Sequence, residues 1–249
     1  MAKKLILIRH GQSEWNLKNL FTGWADVDLT EQGQIEAENA GRIIADLDFD
    51  IDLAFTSVLK RAINTLQIIL KKIHHKEIPI IRDWRLNERN YGALQGLNKS
   101  ETAEKYGEEQ VHIWRRSYDI APPSLEINDE RHPGNDPRYS DIKNLPAAES
   151  LATTLVRVEQ CWKEHIFPEL TNSKNILITG GGAYNTYLIE RVSALSDLAL
   201  NIPDAQTIEF KEALIFAFMG ALRLRNTPNV LSCVTGAPQD HCAGMVYSP

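Results

Sequence analysis

Four apolar residues, Leu5 to Ile8, run without interruption and stop at Arg9-His10-Gly11. A short unbroken run of this kind fits a β-strand covered on both faces, as in a parallel sheet. The residues that follow repeat the theme. After Thr30, Ile35, Ala40, Ile43, Ile44 and Leu47 recur at helical spacing, and Ile51 to Phe55 reads as a second strand. From Val58 to Ile73 a stripe of Leu59, Ile63, Leu66, Ile69, Leu70 and Ile73 predicts a second helix. Strand, helix, strand, helix leads to an α/β fold with a parallel sheet.

A further strand is expected at Ile78 to Ile81, a helix with Leu151, Leu155, Val158, Trp162 and Ile166 on one face, and a strand at Ile176 to Ile178. The expected architecture is three-layered, a mostly parallel sheet flanked by helices. Between about residues 88 and 146 the periodicity loosens, with one helix predicted from Ser100 to Arg116 and a Pro-, Asp- and Gly-rich stretch from Pro122 to Tyr139. A long irregular segment inside a compact domain is commonly functional, so this one is read as a lid-like insertion. With 249 residues and 43% apolar content, one domain spanning 1–249 can bury an adequate core. Its tail, about 223–249, has little periodicity.

Charge and cysteine usage narrow the partners. The formal charge is −6 with neither sign gathered into a run, which argues against nucleic acid. The longest apolar stretch, Ala213 to Leu222, stops well short of the ~18 residues of a membrane span. Cys161, Cys233 and Cys242 have no metal-ligand spacing and suit a reducing compartment, so a cytoplasmic protein without a metal is expected.

His10 stands where the first strand should end, the edge at which open α/β sheets bind ligands. An imidazole there can attack phosphorus while the Arg9 guanidinium neutralises phosphoryl oxygens. Arg61 opens the second helix, Lys99 begins the lid, and Arg115-Arg116 stand near the end of the lid helix. Arginine forks suit phosphate, although for each of these residues taken singly solvated surface charge is the commoner case. Glu88 follows the third strand and can act as a general acid or base beside a phosphate, or else pair with Arg85 or Arg89. Trp24, Trp84, Trp114 and Trp162 read as packing residues. Gly180-Gly181-Gly182, between a strand and a helix predicted over Tyr184 to Leu195, can cradle an anion or simply make a tight turn.

LILIRHG (Leu5 to Gly11), SEWNLKNLFTGWADVDL (Ser13 to Leu29), AFTSVLKRA (Ala54 to Ala62), RLNERNYGALQGLNK (Arg85 to Lys99), ETAEKYG (Glu101 to Gly107), IWRRS (Ile113 to Ser117) and DPRY (Asp136 to Tyr139) together resemble the cofactor-dependent phosphoglycerate mutases of the histidine phosphatase superfamily. The resemblance covers about two thirds of the chain. It implies that His10 is the phosphohistidine nucleophile, that Arg9 and Arg61 hold the transferring phosphoryl, and that Glu88 donates and accepts the proton. Asn16, Thr22, Gly23 and Gly182 would line the site, and Tyr91, Lys99, Arg115 and Arg116 would grip the substrate carboxylate and remote phosphate. The implied reaction interconverts 2- and 3-phosphoglycerate in glycolysis and gluconeogenesis, primed by 2,3-bisphosphoglycerate without metal, in a homodimer or homotetramer.

The sequence departs from that family where a His-Gly-Asn-Ser element is expected. Gly181-Gly182-Ala183-Tyr184 stands there, so the second histidine is absent; Pro203 to Thr207 and Asn90 depart as well. Two further readings follow: a phosphatase of the same superfamily, and a phosphometabolite-binding protein that kept the scaffold without turnover.

Overall fold

In the computed structural model, which describes residues 5–46, 50–73, 77–172 and 175–180, the first two strands do not touch each other. Strand β4 (Ile176–Gly180) lies between β1 (Leu5–Arg9) and β2 (Leu53–Thr56), and β3 (Ile80–Arg82) flanks β2. All pairs are parallel, with Arg9 opposite Gly180 and Thr56 opposite Thr179. This arrangement brings the carboxyl ends of β1, β4 and β2 together. The chain divides into two units, 1–198 and 199–249, and every described residue lies in the first. The expected tail, 223–249, and the helix predicted over Tyr184 to Leu195 fall outside the described residues.

The α/β expectation is met, with corrections in detail. β1 is half-buried rather than covered on both faces, because among the described residues it is an edge strand; β2 and β4 supply the fully buried positions. Helix α2 (Glu31–Asp46) does not bury the expected isoleucine face. Ile35 and Ile43 are 51% and 63% exposed, while Gly33, Ala37, Gly41 and Ile44 face inward. Small residues win this face because α2 lies close on α3 (Lys60–Lys72): a Cβ on Gly41 would stand 2.7 Å from Lys72 Cβ. Leu47, assigned to the same face, is outside the described residues. The stripe on α3 is borne out at Leu66, Ile69 and Ile73, which join Ile44, Ile51, Ala54 and Leu177 in the main core. At about 25 cal/mol per Å² of apolar surface, such a cluster contributes most of the drive that holds helices against a sheet.

The lid-like insertion carries two helices, α4 (Lys99–Tyr106) and α5 (Glu108–Arg116), where one was expected. Gly107 breaks them with φ of 87°, a backbone that glycine adopts without the Cβ clash. Asn98 caps α4 by accepting from the N–H groups of Ser100 and Glu101. Phe21, Leu94 and Val111 form a small core beneath the lid, with Tyr91, Ala103 and Trp114 against it. Helix α6 (Leu151–Cys161) runs through a π-helical turn, Trp162–Ile166, into α7 (Phe167–Thr171). Trp162 and Ile166 are buried as expected; on α6 itself the buried residues are Arg157 and Cys161. Among the described residues no helix is long and apolar enough to cross a membrane.

Candidate active site

His10 is placed by the backbone around it. Its N–H donates to the Gly180 carbonyl (3.3 Å), which ties the end of β1 to the end of β4. The following loop then passes so close to α2 that a Cβ on Gly11 would stand 2.1 Å from Gly33 O, and a Cβ on Gly33 the same distance from Gln12 O. The two glycines let backbone meet backbone, and the turn cannot swing away from the sheet edge.

The imidazole is buried, and its tautomer follows from its partners. Nδ1 lies 2.8 Å from the Gly11 carbonyl, which can only accept, so the proton is on Nδ1. Nε2 therefore carries the lone pair, and it accepts from Arg61 Nε at 3.2 Å. Burial, with the Arg61 charge beside it, pushes the His10 pKa down to about 4. The ring is neutral at pH 7 and nucleophilic at Nε2.

Arg61 is fully buried on the first turn of α3 and spends its donors on four groups. Besides His10, it donates to the carbonyls of Gly23 (Nη2, 2.7 Å) and Ala25 (Nη1, 2.8 Å) and to Glu88 Oε2 (Nη2, 3.0 Å). Glu88 Oε2 stands 4.0 Å from His10 Nε2, and its side chain is 26% exposed. Glu88 thus pairs with Arg61; Arg85 is engaged with Asp83 and Glu164, and Arg89 with the Arg115 carbonyl. A buried guanidinium and a partly exposed carboxylate thus come within 4.0 Å of the unprotonated imidazole Nε2.

A second positive group lies alongside. Burial lowers the Lys99 pKa, and the charges of Arg115 and Arg9 push it further the same way, while Glu88 opposes them. The three cations therefore feel one another across the lid and the end of β1. Lys99 and Arg115 are half-buried and Arg9 is exposed, and like charges that act on one another favour an anion beside them. Tyr91 packs on Phe21 with Arg89 over its ring at 5.0 Å, and Lys99 lies over Phe21. Arg116 is exposed beside Arg115 at the end of α5. Thr22 is buried, and among the described residues its hydroxyl has no hydrogen-bond partner. Asn16 has a local duty: its Oδ1 accepts from Ser13 N (3.1 Å) and Ser13 Oγ (2.9 Å), capping α1 (Glu14–Leu17). Gly181 and Gly182 lie outside the described residues.

Two supporting residues, Arg157 and Glu149, were not singled out from the sequence. With Asn90, marked there only as a departure from the family pattern, they form a buried network under the loop that bears Glu88. Nothing in a single sequence marks a charged residue on an amphipathic helix as buried. Elsewhere, Asp83, Cys161 and His165 bring metal-type donor atoms within 4.8 Å of one another. Arg85 already holds both Asp83 oxygens through Nε and Nη2 and reaches His165, so this cluster has its cation built in.

The histidine phosphatase superfamily (branch 1) family model matches residues 5–132, which is 128 of the 249. The chain belongs to the histidine phosphatase superfamily. Solved structures of similar fold include a phosphoglycerate mutase from Bacillus anthracis (22% identical, 78% of this chain and 81% of that one, TM-score 0.56). An alpha-ribazole phosphatase from Shigella flexneri (24%, 76% and 78%, TM-score 0.54) and a mycobacterial glucosyl-3-phosphoglycerate phosphatase (21%, 83% and 83%, TM-score 0.56) are also similar. At these identities they establish the fold of this histidine phosphatase superfamily member. A second model, that of anhydro-N-acetylmuramic acid kinase, matches residues 139–249. The departure at Gly181-Gly182 falls inside that second match.

Proposed function

We propose that this superfamily member transfers a phosphoryl group through Nε2 of His10, and that its substrate is a small phosphate monoester with a second anionic group, of the 2- and 3-phosphoglycerate type. The observation that carries the reading is the His10 ring, neutral and proton-committed at Nδ1, with Arg61 Nε at 3.2 Å and Glu88 Oε2 at 4.0 Å from Nε2. The Nε2 lone pair forms the N–P bond as the ester P–O bond breaks, and the leaving oxygen takes a proton from Glu88. Arg61 exchanges its hydrogen bond to Nε2 for one to a phosphoryl oxygen, and Arg9 adds charge from the end of β1. In the return step Glu88 takes the proton of the acceptor hydroxyl as that oxygen displaces His10. Lys99 and Arg115, with Arg116 and Tyr91, suit the remote anionic group. The same cations fit 2,3-bisphosphoglycerate, which supplies the priming phosphoryl group when bound.

The test is conversion of 3- to 2-phosphoglycerate by the full chain primed with 2,3-bisphosphoglycerate, with His10→Ala alongside. Activity lost in His10→Ala together with an acid-labile phosphoenzyme supports the mutase. Net phosphate release with no 2-phosphoglycerate favours a phosphatase, a reading to which the open side of Glu88 lends support because water can reach it. Binding without any phosphoenzyme overturns both in favour of a phosphometabolite-binding protein, the reading that the glycines at 181 and 182 support.

A further inference from the structure

Glu88 sits in a loop with no regular secondary structure, between the 3₁₀ turns Trp84–Leu86 and Gly92–Leu94, yet its carboxylate stands 4.0 Å from His10 Nε2. Something other than a helix or strand must fix it. We propose that the buried ion pair Arg157–Glu149 is the positioning unit for Glu88, acting on the loop backbone rather than on any ligand; the role rests on the phosphoryl-transfer reading above.

Arg157 is 6% exposed and Glu149 2%. A guanidinium has five N–H donors, and here all five have acceptors. Nε donates to Glu149 Oε1 (2.6 Å); Nη1 donates to the carbonyls of Arg85 (2.7 Å) and Asn87 (2.9 Å); Nη2 donates to the carbonyl of Glu88 (3.0 Å) and to Glu149 Oε2 (2.8 Å). Glu149 Oε2 also accepts from the Asn90 N–H (2.8 Å), and Asn90 in turn donates to the Pro146 carbonyl and accepts from the Gly92 N–H. One ion pair therefore spans the loop from residue 85 to residue 90. Trp24 closes the assembly: its ring packs over the Arg157 guanidinium at 5.5 Å, and its indole N–H donates to the Glu88 carbonyl at 2.6 Å. Lysine cannot replace this fork, because three donors on one nitrogen cannot reach three carbonyls and both oxygens of a carboxylate. A buried pair with every donor used is also the kind whose partners cannot be removed singly without leaving an unpaired charge.

The experiment uses the full chain as Arg157→Lys and Glu149→Gln variants. Two readouts are taken: kcat, KM and the pH profile with 3-phosphoglycerate, and the Trp24 indole ¹H–¹⁵N signal, which reports the Glu88 carbonyl directly. A misplacement near 1 Å lowers turnover on the order of a hundredfold. The expected result is therefore a fall of that size in kcat with KM little changed, movement of the pH limb that Glu88→Gln abolishes, and displacement of the Trp24 signal. Should wild type show no turnover, the functional reading fails by itself and the indole signal still decides the positioning role. An unmoved Trp24 signal in both variants, or a moved signal with kcat and the pH limb unchanged, overturns the inference. If Arg157→Lys does not fold, the isosteric Glu149→Gln carries the test.

Discussion

Acidifying the protein should expose the work done to keep His10 neutral. Its pKa in the folded chain is pushed from 6.5 down to about 4, first by burial and then by Arg61. Between those two values the unfolded chain binds a proton that the folded chain refuses, so folding loses stability as pH falls. The loss is absent above about 6.5, accumulates through the window, and is complete below about 4. A drop from 6.5 to about 4 spans about 2.5 pH units, and at about 1.36 kcal/mol each it amounts to about 3 kcal/mol. The side chain is only 3% exposed, so little solvent screening reduces that figure. Other groups titrate over the same range, so the assay is a comparison: urea midpoints of wild type and His10→Gln at pH 7 and pH 4.5. Wild type should lose about 2 kcal/mol more than His10→Gln on acidification. An NMR titration of the His10 ring nitrogens checks the cause. Equal losses in the two proteins, or a His10 pKa near 6.5, would refute the argument that burial and Arg61 hold the ring unprotonated.

Arg61→Ala removes the partner of His10 Nε2, of Glu88 and of two buried carbonyls, and turnover should fall on the order of a thousandfold, read by kcat in the primed assay. Lys99→Met should raise KM for phosphoglycerate about tenfold or more while leaving hydrolysis of p-nitrophenyl phosphate, which has no second anion, nearly unchanged. Gly33→Ala drives a methyl group to 2.1 Å from Gln12 O and should cost at least about 3 kcal/mol in a denaturant titration, because the clash is with backbone that cannot turn aside.

Much of this arrangement was legible in the sequence, for identifiable reasons. Strands whose apolar runs end in His10 or Gly180, and a helix opening with Arg61, announce both the parallel sheet and the edge where its ligand site lies. His10, Arg61 and Glu88 do meet there. Periodicity misled where small residues decide packing: α2 turned Ile35 and Ile43 outward, keeping Ile44 in the core, because Gly33, Ala37 and Gly41 allow closer approach. It also gave one lid helix where Gly107 makes two, since a single glycine within a helical pattern costs only about 1 kcal/mol and does not by itself predict a break. Arg157 and Glu149 were illegible for a different reason. Burial of a charged pair depends on which carbonyls the fold brings around it, and those of residues 85, 87 and 88 come from another part of the chain.

The position of β4 bears on how the two family resemblances meet. The kinase-type match begins at residue 139 and so includes Glu149, Arg157 and all of β4. Yet β4 is paired between β1 and β2, Gly180 accepts from the His10 N–H, and Arg157 grips the loop that bears Glu88. Each of these residues serves the phosphatase-type scaffold, so that scaffold runs at least to Gly180 whatever pattern the sequence after residue 139 follows. The next residues along the chain, Gly181 and Gly182, carry no side chain that could meet phosphoryl charge. Among the described residues, the cations that the proposed function assigns to that charge are Arg9 on β1, Arg61 on α3 and Lys99 on the lid. If the proposed phosphoryl transfer holds, turnover depends on how far these three cations and Glu88 suffice without an imidazole at residue 181, and Gly181→His tests it directly: a large gain in kcat would mean that the β4 side limits the reaction, and no gain would mean that these four residues carry it.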